Sequence, residues 1–414
     1  MTDLQSSRSG AWQEAYNGLA QEIDRWIAGA IRRQEKMPFQ GGHDECNYTA
    51  SWLTFAKITG SERPLAFCTT LRDQLIAWPE LHHGFYPEAN WDIEHSVENW
   101  TVFMTTFANA YPDDDVTMAG IEDVAHHLGN WVDGVPKWFD WDKRRFVSEW
   151  VGTRKVRNFP PYDFSTYWDA RASELALTMF DLRGDKRYLE FAVAFAGGWA
   201  DYILAQDGLG YWLQFEADTS DRDAFKGVYG EFPERFHAFN IGWIWECTAH
   251  MLHVHRLAPD PALVEASRKV IEMAPNYRPG IKRLYQDATG DKRYAADIAA
   301  EENAAMSKAR QALGQPLPDI VMLEGLAPYP RRLYARRDEA GKLQEMDGPG
   351  PGALMRAWQQ SGEEAFAVAA MNLAARQLHL AATTLRDGRE HGCNGRWVHG
   401  AGGEAVSVFA TASK

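Results

Sequence analysis

The sequence predicts an all-α chain folded as an α/α toroid: an incomplete barrel of six or seven helical hairpins, with long loops at one end and a short strand-like C-terminal tail. Three observations predict it. Apolar residues recur at three- and four-residue intervals through most of the 414 residues. A turn of Thr, Ser or Arg, then Gly, then Asp, Glu or Ser recurs between helical stretches, as TGSERPL at 59–65, RGDKRYL at 183–189, TGDKRYA at 289–295 and SGEEAFA at 361–367. In each, Gly closes one helix and the polar residue after it opens the next. Finally, the two helices of a hairpin differ. The stretch 236–257 is apolar nearly all round, which suits a helix buried on several sides, whereas 185–205 carries a single stripe of Tyr188, Phe191, Phe195, Trp199 and Ile203. First helices inside and second helices outside is the arrangement of a toroid.

The elements follow in order. Residues 11–33 read as an amphipathic helix through Trp12, Tyr16, Leu19, Ile23, Trp26, Ile27 and Ala30. Six hairpins are expected at 43–59/62–77, 92–110/114–131, 166–183/185–205, 236–257/260–274, 279–289/291–313 and 348–361/363–385. Their connections, 78–91, 132–165, 206–235, 275–278 and 314–347, fall at one end. All but one are long, and long ordered loops are usually functional. The tail at 391–412 turns to Gly, Val and Phe with some alternation, which reads as a short strand or lid. The expected division is therefore a toroid over 1–390 with a tail over 391–414 packed on it.

Composition narrows the function. A hydrophobic fraction of 45% and a charged fraction of 24% describe a folded globular protein. The formal charge of -14 disfavours nucleic acid and anionic membranes as partners. No apolar run approaches a membrane span and no leader-like h-region is visible, so the expectation is a cytoplasmic protein. The 4 Cys show no C-x-x-C spacing and read as buried thiols. The 17 Trp suit both a helical core and stacking on sugar rings. Lys137, Lys143, Arg144, Arg145, Arg154, Lys155 and Arg157 form a local basic stretch, readable as a solvated face or as an Arg rim for carboxylates.

The starts of the first helices collect unusual side chains. The stretch 90–100, NWDIEHSVENW, has acids, an imidazole and amides but no Lys or Arg. His43 and Asn47 open the first hairpin; Trp91, Glu94, His95 and Asn99 the second; Tyr167 and Arg171 the third; Arg235, His237 and Asn240 the fourth. Second helices instead begin with common solvated residues such as Asp185 and Lys186. His can move protons near neutral pH, and Asn is costly to bury without a partner, so this asymmetry marks a site. The same groups could hold a metal, but no two-His motif at helical spacing occurs within one of these starts, and no metal or other cofactor is expected.

The runs HHGFYPEANWDIEHSVENW at 82–100 and HHLGNWVDGVPKWFDWD at 126–142 resemble bacterial α/α-toroid polysaccharide lyases acting on uronic-acid polymers, of the alginate and glucuronan lyase type. The resemblance covers roughly residues 40–260. It implies cofactor-free β-elimination on an acidic oligo- or polysaccharide. His95, His237 and Tyr167 would be catalytic, with the histidines as base or neutraliser and Tyr167 as proton shuttle. His43, Asn47, Trp91, Glu94, Asn99, Arg171, Arg235 and Asn240 would bind substrate. Such lyases often carry an adjacent Asn-His pair, whereas this chain offers His95 with Asn99 and His237 with Asn240. Alternatives from the residues are a sugar epimerase of the N-acylglucosamine 2-epimerase type, a toroid glycoside hydrolase using carboxylates such as Asp44, Glu94 or Asp169, and a non-catalytic sugar-binding scaffold.

Overall fold

A computed structural model describes residues 8–35, 43–86, 98–148, 150–158, 164–207, 212–214, 233–274, 280–313, 319–323, 331–337, 343–345, 349–384 and 396–414. Of these, residues 33, 43–45, 164, 166, 168, 212–214, 233–243, 319–323, 331–337, 343–345, 380–384 and 396–399 are described by backbone alone. The chain is predominantly helical, as its periodicity predicts, and its strands are short. It divides into two units. The first holds residues 1–39, 44–71 and 300–414, and the second residues 40–43 and 72–299.

In the first unit, α1 (Gly10–Gln34) buries Trp12, Leu19, Ile23, Trp26, Ile27 and Ala30 of the stripe read from the sequence, while Tyr16 is half-buried. The helix α2 (His43–Thr59) ends at Gly60, whose φ of 72° is cheap only for glycine, and α3 (Glu62–Leu81) starts in this unit and continues into the second. Further along the chain come α12 (Pro351–Ser361), α13 (Glu364–Thr384) and α14 (Arg396–Ala412). The helix α1 packs on α13 and α14, and α12 packs on both as well.

The tail corrects the sequence reading: α14 is a helix, not a strand-like segment. Its buried positions, Ala401, Ala405, Val406, Val408, Phe409 and Ala412, follow a helical period. Its glycines suggested a turn or strand, but one of them is a packing residue. A Cβ on Gly402 would lie 2.3 Å from the Trp26 ring, so the absent side chain is what lets α14 approach α1. A second difference lies in the expected loop 314–347. It contains an antiparallel sheet of β5 (Asp319–Leu323), β6 (Arg331–Arg337) and β7 (Leu343–Glu345) in the order β5-β6-β7.

The second unit carries the hairpins that bear on function. A π-helical turn, Asn99–Met104, runs into α4 (Thr105–Ala110), and α5 (Asp115–Leu128) returns. Asp114 caps α5 by accepting from the Thr117 N–H at 2.8 Å, and both of its carboxylate oxygens also accept from Nη1 of the buried Arg72. Next are α6 (Ala170–Arg183) and α7 (Lys186–Ala205), joined by Gly184 at φ 71° and capped by Asp185. The hairpin of α8 (Pro233–Leu257) and α9 (Pro261–Met273) follows, then α10 (Ile281–Thr289), closed by Gly290 at φ 72°; α11 (Ala295–Leu313) starts in this unit and continues into the first. The all-round apolar helix α8 packs against α6, α7, α9 and α10, which explains its composition. Its one-sided neighbour α7 buries all five residues of the predicted stripe. Short antiparallel pairs join β1 (Phe139–Asp140) to β2 (Arg145–Phe146), and β3 (Phe164–Thr166) to β4 (Trp212–Gln214). Among the described residues no helix is long and apolar enough to cross a membrane.

Candidate functional site

Three expected residues, Asn99, Tyr167 and Arg171, lie on neighbouring elements of the second unit, and Arg171 is the centre of a polar seam there. It begins where the 90–100 stretch enters the π-helical turn. Glu98 and Asn99 are both buried, at 4% and 0% exposure. A π-turn widens the helical hydrogen-bond spacing and is frequent at functional sites. This one packs on α6, at whose second residue Arg171 sits.

Arg171 bridges two acids. Its Nη1 donates to Glu98 Oε1, its Nε donates to Glu246 Oε2 at 2.9 Å, and its Nη2 donates to Glu246 Oε1 at 3.3 Å. Burial opposes the charge on the guanidinium, but hydrogen bonds and charge from Glu246 and Glu98 outweigh it and raise the Arg171 pKa. An always-charged fork is suited to holding two carboxylates in one place. Arg171 is therefore committed to Glu98 and Glu246, and a substrate carboxylate would have to compete with both. Asn99 has no such commitment: among the described residues neither its amide oxygen nor its amide nitrogen has a hydrogen-bond partner. A fully buried amide without partners is uncommon, because each orphaned group costs roughly 1–3 kcal/mol.

Tyr167 and Asp169 lie in the single 3-10 turn Tyr167–Asp169 that leads into α6 and packs on α8. Ser165 Oγ donates to Asp169 Oδ2 at 2.6 Å. The Tyr167 ring is fully buried, with its centroid 4.4 Å from that of Trp199. Burial first, then the neighbouring Cys247 and Tyr202, push its phenol well above the ordinary tyrosine range. Such a phenol holds its proton, which suits a proton donor and not a base.

One turn further along α6, Glu174 takes up two histidines of α8. His250 Nδ1 lies 2.7 Å from Glu174 Oε1, and His253 Nδ1 lies 3.1 Å from Glu174 Oε2. Burial works to raise the Glu174 carboxyl, but the two imidazoles outweigh it and hold it at about 2. The hydrogen bond to Glu174 raises His253 in turn. His250 is buried and its Nε2 has no hydrogen-bond partner among the described residues. Glu246, His250 and His253 are spaced by four and three residues along α8, so one face of an otherwise apolar helix meets Arg171 and Glu174 of α6.

The other expected residues are distributed as follows. Asn47 lies in α2, in the first unit. His43 is the first residue of α2, and Arg235, His237 and Asn240 lie in the first turns of α8; these four are described by backbone alone. Trp91, Glu94 and His95 lie outside the described residues. Much of the basic stretch is engaged internally: Arg144 pairs with Asp201, Arg154 with Glu80, and Arg157 stacks 3.1 Å from the Trp150 ring centroid. Those three groups therefore already have partners within the chain. The sequence reading missed Glu174, Glu246 and His250. The available signal was a four-three spacing of ionisable groups on a helix with almost no other polar face. Among the described residues no three His, Cys, Asp or Glu converge as a metal ion would require.

No protein-family model, no curated protein and no solved structure matches the chain.

Proposed function

We propose that the chain is a carbohydrate-active lyase that cleaves a uronic-acid-containing oligo- or polysaccharide by β-elimination, with its hairpins closing an α/α toroid around the site. The observation that carries the reading is Asn99: a fully buried amide whose donor and acceptor are unpartnered among the described residues, beside the Glu98–Arg171 pair. In the elimination a base removes the proton at C5 of the uronate. The electron pair forms the C4–C5 double bond as the C4–O glycosidic bond breaks, and the departing oxygen takes a proton from an acid. The C5 proton becomes acidic only when the adjacent carboxylate is hydrogen-bonded, and an amide N–H supplies that bond. With Arg171 held by two acids, Asn99 is the better neutraliser in this reading. His95 and His237 remain the base candidates, and the Tyr167 phenol, which keeps its proton, the acid candidate. His43, Asn47, Trp91, Glu94, Arg235 and Asn240 would complete the substrate contacts.

One observation favours a second reading. Two carboxylates, Glu98 and Glu246, converge on one guanidinium, and paired carboxylates are the equipment of glycoside hydrolysis. A single assay separates the two. The protein is incubated with glucuronan, alginate and their oligosaccharides, and the ultraviolet absorbance of an unsaturated uronate is followed alongside reducing ends. Rising absorbance supports elimination. New reducing ends without it support hydrolysis, and neither signal on any substrate removes both readings.

A further inference from the structure

Trp141 is the one aromatic side chain among the exposed large apolar residues of the described chain, at 39% exposure. Trp26, Trp52, Trp138, Trp199 and Trp245 are by contrast fully buried. One exposed apolar residue needs no explanation by itself. Trp141, however, stands at the tip of a braced hairpin in the second unit, and a second indole, the half-buried Trp131, lies beside it. Both touch Gly129, the residue that closes α5. Trp141 Nε1 donates to the Gly129 carbonyl at 3.2 Å, and a Cβ on Gly129 would lie 2.5 Å from the Trp131 ring. Both are also laid along α7. The Trp131 ring makes a T-shaped contact with Tyr188 at 5.5 Å between centroids, and Trp141 makes one with Phe191 at 6.0 Å. Tyr188 and Phe191 are neighbours on one face of α7, about 4.5 Å apart along its axis. That rise is close to the length of one sugar unit in an extended glycan.

The backbone around the two rings is held in place at some cost. Asn130 and Arg144 are non-glycine residues in the left-handed region, with φ of 60° and 54°. Asn130 precedes Trp131, and its side chain ties down the start of the hairpin. Its Oδ1 accepts from the Trp138 N–H at 2.9 Å and its Nδ2 donates to the Phe139 carbonyl. Arg144 closes the turn that Trp141 opens. In that turn Asp140 Oδ1 accepts from the N–H groups of Asp142 and Lys143, both at 2.9 Å. Arg144 also pairs with Asp201 of α7, and its carbonyl comes so close to that helix that a Cβ on Gly198 would lie 2.5 Å from it. Strained backbone persists only where its surroundings enforce it, and it gathers at ligand sites. A platform fixed in advance loses little freedom when a ligand settles on it.

The Trp141 N–H is already used, so what the ring offers a ligand is flat apolar surface. The matching partner is apolar on its face and polar around its rim. A pyranose with equatorial hydroxyls is built that way, with C–H bonds on its faces and hydroxyls at its edge. A lipid tail or an apolar helix matches poorly, because Asp142, Lys143 and Arg187 are exposed around the rings. Those charges are mixed. Arg187, whose guanidinium lies 5.2 Å from the Trp131 centroid, is paired with Asp185. The surroundings therefore admit both a neutral unit and its uronate.

From two braced indoles set side by side, we infer that Trp131 and Trp141 form a glycan-binding platform for gluco-configured pyranose units, built from none of the residues of the polar seam. The platform does not rest on the elimination reading, because it is measured as binding whether or not the chain cleaves anything. The full chain is titrated calorimetrically with cellotetraose, with the glucuronan tetrasaccharide, with glucose, and with glucitol, the open-chain polyol that has the hydroxyls without the ring face. At least one tetrasaccharide is expected to bind with a Kd of about 1 mM or tighter. Glucose, which covers one indole only, should bind at least about tenfold more weakly, and glucitol should give no heat of binding. Which tetrasaccharide binds tells the neutral source from the acidic one. Trp141→Ala should weaken the tetrasaccharide about tenfold, and Trp141→Tyr, which restores a ring face, should recover part of that loss. Absence of binding by both tetrasaccharides overturns the inference, and this arm uses the unaltered protein. Glucitol or glucose binding as tightly as the tetrasaccharide overturns it too, as does a folded Trp141→Ala variant with unchanged affinity.

Discussion

The sharpest test of the polar seam is Arg171→Met, which keeps the length of the side chain and removes its charge. Arg171 satisfies Glu98 and Glu246 together. The two acids stand differently without it. The Glu246 side chain is 31% exposed and can rehydrate, whereas that of Glu98 is only 5% exposed and cannot. Removing one partner of a buried pair leaves an uncompensated charge, at a cost of roughly 3–5 kcal/mol. Nearly all of that loss should come from Glu98. At about 2–4 °C per kcal/mol for a unit of this size, the melting temperature should fall by about 10 °C. Circular dichroism with heating measures it. The companion is the double variant Glu98→Gln/Arg171→Met, which removes the stranded charge as well and should recover at least half of the loss. Arg171→Met melting within about 2 °C of the parent would refute the argument. Failure of the double variant to recover would show that the loss came from somewhere other than Glu98.

Other outcomes follow from the same geometry. Asn99→Leu exchanges an unpartnered buried amide for an apolar group of similar size, so the ligand-free protein should be equally or more stable by up to about 1 kcal/mol; a loss of several kcal/mol in urea unfolding would mean that the amide has a structural partner. The Glu174–His250–His253 cluster should give stability a two-sided pH dependence. Glu174, lowered from 4.5 to about 2, contributes above pH 4.5 and loses that contribution as the pH falls toward 2. A fully shielded group shifted this far would be worth about 3 kcal/mol, but the side chain is 41% exposed, and solvent screening reduces this to about 1 kcal/mol. His253, raised above 6.5, contributes below pH 6.5 and loses its share as the pH climbs through its raised value. His253→Gln should therefore flatten the alkaline side of a plot of melting temperature against pH, and an unchanged slope there would count against the pair. Gly402→Leu forces a side chain into Trp26 and should destabilise the first unit by about 1–3 kcal/mol, read as a lower urea midpoint.

The helices were legible because they rest on short-range signals. Gly60, Gly184, Gly290 and Gly362 were expected as helix ends, and all four have φ between 71° and 73°, the region that only glycine enters without strain. The stripe on α7 and the all-round apolarity of α8 likewise translated directly into one-sided and many-sided burial. The reading of α14 failed because a glycine at 402 has two physical uses. It can mark a turn, or it can admit a neighbouring helix, and only the position of Trp26 decides between them. The candidate site was half legible for a related reason. Arg171 and Asn99 stood out as polar groups at helix starts. Glu246 and His250 sit in mid-helix, where a sequence gives no sign that another helix brings an Arg or a Glu opposite. Pairing across 75 residues of chain is a tertiary fact.

The π-turn after Glu98 gives the stretch 98–100 its division of labour. Three consecutive residues meet three environments: Glu98 the guanidinium of Arg171, Asn99 a fully buried position whose amide has no partner among the described residues, and Trp100 the lining of a groove beside α3 and α5. In a helix, successive side chains point about a quarter-turn or more apart, so such a fan is available to any helical segment. A π-turn adds a widened backbone whose carbonyls need other donors. The sequence supplies those donors. Thr105 Oγ1 donates to the Thr101 carbonyl at 2.6 Å, and Thr106 Oγ1 donates to the Val102 carbonyl at 2.7 Å. Such back-bonding bends or destabilises an ordinary helix, so two threonines placed there make sense as support for the irregular turn. The run TVFMTT is therefore as much a part of the site as the acids and amides before it, because it holds the turn that spreads them.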